Sequence, residues 1–150
     1  MIGCAVICIN KDKKVLMVLK DENGKKKWTL PVTDIKEGES LSGCTIRGAR
    51  ESTGYLVEIT DKLYKKTKYL EDYILRLHYF EVKINARLDN FNNPDIEQVA
   101  WVDIEDINVS DLSLPEDKYM IQNLIKEKIK QEYKNKRKKI SNDDKAPKEK

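Results

Sequence analysis

Positions 48, 51 and 52 lie on one face of any helix that contains them, because residues three and four apart stack on neighbouring turns. Carboxylates at that spacing can hold magnesium or manganese against a diphosphate. Here the three positions read Gly48, Glu51 and Ser52, within the stretch GESLSGCTIRGARESTGY over residues 38–55. Glu51 is the one acid of the trio, Glu39 lies before the helix, and Arg47 precedes Glu51 by four residues. Two readings of Glu51 follow: a metal ligand, or half of an ion pair with Arg47 on an exposed helix face. Glu39 has the same two-sided character, since an acid just before a helix also favours the positive end of its dipole. Gly43 and Gly48 each weaken a helix by about 1 kcal/mol relative to alanine. Close packing, the approach of a ligand, or drift would each account for them.

The elements that must position these residues are legible around them. Ser40 is a suitable N-cap and Gly54 a suitable left-handed C-cap, which bounds the helix. Before it, residues 2–9 form an apolar β-branched run, KVLMVLK reads as a second strand, and WTLPV reads as a short strand entering a loop. DENGKKK holds an Asn-Gly turn signal. After the helix, residues 55–70 are rich in β formers, EDY marks a reversal, ILRLHYFEVKI alternates as a strand, and EQVAWVDI reads as a late strand. LSLPED opens a last helix whose apolar stripe is Met120, Ile121, Leu124, Ile125 and Ile129. Strands, one helix, more strands and one helix predict an α/β fold with a mixed sheet between two helices.

With 150 residues, 39% hydrophobic and 37% charged, the chain suits one domain with a single core and a charged surface. The net charge of +3 is unevenly placed. Residues 126–150 carry 11 Lys/Arg and 5 Asp/Glu, and the preceding 125 residues carry 18 and 21. The basic pI of about 8.6 therefore comes from the tail and does not indicate a nucleic-acid surface on the domain. The stripe stops near Lys134, so residues 1–133 read as the domain and 134–150 as a charged, frayed or disordered tail. Contact with nucleic acid is expected at most through that tail.

Cys4, Cys8 and Cys44 form no C-x-x-C pair, and Cys4 and Cys8 on one strand would sit about 13 Å apart, beyond disulfide reach. That suits a reducing, cytoplasmic location. The apolar start lacks a basic leader and reads as a core strand, and no run approaches a membrane span. His78 reads as an ordinary strand residue and Cys44 as a small core residue. Trp28, Tyr55, Tyr69, Tyr73 and Tyr79 are candidates for stacking on a base, with sheet packing the plainer role for each.

The stretch 33–55 resembles the Nudix box. That signature is Gly, five residues, Glu, seven residues, Arg-Glu, an apolar residue, any residue, Glu-Glu, any residue, Gly and an apolar residue. Glu39, Arg47, Ala49, Glu51, Gly54 and Tyr55 fit it. Thr33 stands in place of the first Gly, and Gly48 and Ser52 in place of two Glu. WTLPVTDIKEGES is similar to the family's approach to the box. EQVAWVDIEDI with LSLPEDKYMIQNL is similar to its late strand and last helix, so the likeness spans roughly residues 3–130.

The resemblance implies a Nudix-type α/β/α sandwich and hydrolysis of nucleoside diphosphates joined to another group, with Mg²⁺ or Mn²⁺ as cofactor. Carried over by position, Glu39 and Glu51 would be metal ligands and Glu51 with Arg47 the catalytic residues, while Glu97 is either a loop acid that joins the metal or, more plainly, a loop-end acid in an acidic segment. Losing two helix acids removes two negative charges, so clustered metals would repel each other with less to offset them. Two functions follow. One is a divergent hydrolase of nucleoside diphosphate derivatives with weak or lost activity. The other is a non-catalytic nucleotide-binding or protein-interaction domain on the same fold.

Overall fold

The computed structural model describes residues 1–145, with side chains through residue 140. Residues 1–115 form one unit and the segment from residue 116 another, and each is described by itself. The first unit contains β1 (Ile2–Ile7), β2 (Val15–Glu22), β3 (Lys25–Thr29), β4 (Val32–Asp34), α1 (Leu41–Thr53), β5 (Tyr55–Tyr69), β6 (Ile74–Arg87) and β7 (Gln98–Val102). Two short 3₁₀ turns follow, Ile104–Asp106 and Val109–Asp111. The second unit holds α2 (Asp117–Lys145).

The α/β class and the mixed sheet expected from the sequence are both present, but the strands divide into two sheets. One is mixed, in the order β4-β1-β6-β5, with β1 parallel to β6 and antiparallel to β4. The other is antiparallel, in the order β3-β2-β7. The segment WTLPV, expected as one strand, is therefore shared between them. Trp28 and Thr29 end β3, and Val32 begins β4 in the other sheet. Pro31 sits at the crossing, where its missing N–H interrupts a ladder. Its carbonyl still accepts from Val6 N at 2.9 Å.

Helix α1 begins and ends as its caps predict. Ser40 Oγ accepts from Gly43 N at 2.9 Å, and Gly54 takes the left-handed conformation at φ 78°. A side chain at Gly54 would also meet Phe91, whose Cβ lies 2.6 Å from where a Cβ would stand. The helix buries Cys44, Thr45, Gly48, Ala49, Ser52 and Thr53. Cys44 packs with Cys4 and Phe80, and Ala49 with Val6, Cys8, Leu16, Val57 and Val82, so one helix face covers the centre of the mixed sheet.

The β5–β6 hairpin is long and irregular. Its register slips between Lys62 and Tyr64, where Lys62 opposes Phe80 and Tyr64 opposes Tyr79. An extra residue in one strand turns the following side chains to the other face. Lys66 and Lys68 consequently share a face with their partners Leu77 and Leu75 instead of with Lys62.

Helix α2 continues through residues 134–145, part of the segment whose charge suggests a disordered tail. Lys134, Lys136, Arg137, Lys138 and Lys139 are good helix formers, so a helix here needs no apolar stripe to be locally favoured. Residues 146–150 of that tail lie outside the described residues.

Candidate functional site

Arg47 is the hub of the site. Its Nε donates to Glu39 Oε2 at 2.7 Å and its Nη2 to Glu39 Oε1 at 2.8 Å, a two-pronged pair of the strong kind. Nη2 also donates to the Asp34 carbonyl at 2.8 Å, and Nη1 to Glu51 Oε2 at 3.0 Å. Glu39 Oε1 further accepts from Lys36 N at 3.1 Å. The Glu39 carboxyl is consequently held well below the usual carboxylate range, at about 2, first by Arg47 and then by the Lys36 amide. Arg47 is pushed up in turn, chiefly by Glu39. The side chains of Arg47 and Glu39 are 13% and 18% exposed, against 49% for Glu51, so the Glu39 arm is the stronger. The structure thus brings three sequence-selected residues, Glu39, Arg47 and Glu51, into one network.

Gly48 and Ser52 lie one turn apart on the buried side of the same helix. Thr33, from β4, fills the space above Gly48. A Cβ at position 48 would stand 2.2 Å from Thr33 Oγ1 and 2.7 Å from Thr33 Cβ. Thr33 Cβ is fixed to its strand, so no rotamer change would relieve that contact. The two departures from the box, a larger residue at 33 and a smaller one at 48, are therefore spatially complementary. Each is visible in the sequence, but their contact is not.

Beside them opens a cavity of about 580 Å³. Thr33, Asp34, Glu51 and Ser52 line one part of it, and Leu70, Tyr73, Leu75 and Leu77 of the hairpin form a more apolar part. Lys20 and Glu22 from β2, Lys68 from β5 and Asn93 from the loop before β7 also contribute. Asn93 Nδ2 donates to the Glu51 carbonyl at 2.9 Å, tying that loop to α1. Lys20, Glu22, Asp34, Lys68 and Asn93 are among the lining residues that sequence reasoning passed over. For Lys68 the usable signal was weak, because its direction depends on the slip in β5.

Other candidates fall elsewhere. Glu97 pairs with Lys26 on the antiparallel sheet and does not line the cavity, so the structure does not join it to Glu39 and Glu51. Of the aromatic candidates only Tyr73 lines the cavity. Tyr79 is buried and stacks on Tyr64 with ring centroids 4.9 Å apart, and Tyr55 lies against Trp101 at 6.3 Å. His78 lies outside the cavity, and burial, reinforced by Lys62 and Lys65, lowers its pKa. Cys44 is buried, its thiol pushed up to about 12 mainly by desolvation, which suits a core residue and not a nucleophile.

The donor set does not fit a clustered-metal site. Both Glu39 oxygens are engaged by Arg47, Glu51 shares the same arginine, and Thr33 occupies the volume through which a side chain at 48 would extend. Among the described residues no group of three or more His, Cys, Asp or Glu side chains is placed to hold a metal ion. No helix among them is long and apolar enough to cross a membrane.

Solved structures share this fold. A NUDIX hydrolase from Nitrosomonas europaea superposes with a TM-score of 0.74 at 18% identity, covering 82% of this chain and 88% of the other. An ADP-ribose pyrophosphatase from Streptococcus suis gives 0.67 at 13% identity, covering 85% and 90%. A MutT protein from Methanosarcina mazei Go1 gives 0.62 at 20% identity, covering 85% and 94%. No curated protein matches the sequence. The NUDIX domain profile matches residues 1–124, and with the box geometry in place the chain belongs to the NUDIX domain family.

Proposed function

We propose that this chain is a divergent Nudix domain that binds a nucleoside diphosphate-linked small molecule in the cavity beside α1, with hydrolysis that is weak or lost. The observation that carries the reading is the packing of Thr33 against Gly48. It gives the position of a box glutamate to a neighbouring side chain while the Glu39–Arg47–Glu51 network stays assembled. A cavity of about 580 Å³ is in the range that encloses a small ligand. Tyr73 offers a face for a base, and the ADP-ribose pyrophosphatase among the similar structures supports the substrate class.

In this reading Arg47 is a positioning residue, and Glu51 is the box carboxylate left to carry any residual turnover. Glu97 is committed to Lys26. The reading in which catalysis is wholly absent draws support from Glu39, whose two oxygens are both held by Arg47. Three buried cysteines suit a reducing compartment, and we place the protein in the cytoplasm.

The test is ADP-ribose turnover at millimolar magnesium or manganese, followed by chromatography of the products. Slow or undetectable release of AMP is expected, and Glu51→Gln erases whatever remains. Fast metal-dependent turnover would overturn the reading and point to replacement ligands, with Glu97→Gln the first variant to make.

A further inference from the structure

Two lysines reach the cavity from different sheets. Lys20 follows Leu16 and Val18 on one face of β2, and Thr29, the cross-strand partner of Val18, lines the same cavity. Lys68 faces it because of the slip in β5, which sets Lys68 opposite the lining residue Leu75. Bulges of this kind re-aim side chains beside functional sites. Thr33 and Ser52 add two hydroxyls to the lining, at box positions where the family pattern has glycine and glutamate.

We infer that this cavity holds the phosphates of its ligand directly, on the ammonium groups of Lys20 and Lys68 and the hydroxyls of Thr33 and Ser52, without a bridging divalent cation. The inference rests on the reading that the cavity takes a diphosphate-bearing molecule. Carboxylates repel phosphate and need a cation between them, whereas ammonium and hydroxyl groups donate to it without one. Gly48 and Ser52 remove two carboxylates from the face that would need such a cation, and the Thr33 side chain closes the volume at position 48. Three acids still line the cavity: Glu22, Asp34 and Glu51. Two of them already accept hydrogen bonds, Glu51 from Arg47 and Glu22 from the Ser113 hydroxyl, which moderates their repulsion of an anion.

The test is titration calorimetry of the full chain with inorganic pyrophosphate, ADP and adenosine, each in excess EDTA and in magnesium. Pyrophosphate and ADP bind in EDTA, magnesium does not strengthen them, and adenosine binds at least about tenfold more weakly than ADP. Lys20→Gln and Lys68→Gln each weaken pyrophosphate by roughly tenfold, Lys20→Arg retains binding, and Thr33→Val, which keeps the packing on Gly48, weakens it by a few fold. Thermal melts confirm that each variant is folded. If ADP or pyrophosphate binds only with magnesium, or if both lysine variants bind normally, direct contact is overturned while the cavity reading stands. If neither binds under either condition, both fall.

Discussion

The two halves of the box helix have fared differently. Its entry, from Glu39 to Arg47, keeps the side chains that fix shape: the Ser40 cap, the two-pronged Arg47–Glu39 pair and the bond from Arg47 to the Asp34 carbonyl. Its exit, from Gly48 to Gly54, keeps the left-handed cap, but only Glu51 remains of three expected acids. The hub holds the preceding loop and β4 onto the helix, and loss of it would cost the fold. The acids further along have mainly chemistry to lose. The shape-fixing part of the motif is thus present without its full charge set, and Thr33 of β4 occupies the space against Gly48.

The sharpest way to break that contrast is Gly48→Ala. Alanine adds about 1 kcal/mol of helix propensity, so an empty site would make the change stabilising. Contact with Thr33 reverses the sign, and we expect a net loss of about 2 kcal/mol by urea denaturation. Thr33→Gly in the same chain should recover most of it, with a coupling of at least about 1 kcal/mol between the two positions. Additive effects would show that the two residues do not compensate each other. Restoring box acids at 48 and 52 should accordingly need Thr33→Gly as well.

A smaller effect tests the entry half. The Glu39 carboxyl is held at about 2, below its ordinary value of 4.5. Because the folded value is depressed, its contribution to stability is fully present above pH 4.5 and is lost as pH falls toward 2. Thermal melts across that window should show a steeper fall for the parent chain than for Glu39→Gln. Parallel curves would remove the Glu39–Arg47 pair from the account. Smallest of all is Glu51→Gln, expected to shift stability by less than about 1 kcal/mol because that arm is half exposed. A larger loss would make Glu51 part of the structural hub.

Local signals read well from the sequence, and non-local ones did not. Ser40 and Gly54 bound α1 because capping is decided by a few neighbouring residues. The box spacing picked out Glu39, Arg47 and Glu51 correctly as neighbours. The choice between a ligand and an ordinary loop-end acid at Glu97 was not legible, because it depends on the path of a loop and on the partner Lys26. The division of WTLPV between two sheets was hidden because alternation reports a strand, not its partner. Helix α2 runs past the end of its apolar stripe because the lysines and arginine from Lys134 to Lys139 favour a helix without one. The match between Thr33 and Gly48 required two positions 15 apart to be seen touching.

Strand β1 carries a kinetic consequence. Each of its residues pairs with one 74 positions later, from Ile2 with Arg76 to Ile7 with Glu81, so the central parallel ladder closes only after β6 exists. During synthesis β1 is an apolar strand without its main neighbour, at elongation rates of roughly 5–20 residues per second. Long-range parallel pairing is also intrinsically slow. The α1 face covers β1 at Cys4 and Val6, so the box helix packs on a strand whose central ladder closes only with β6.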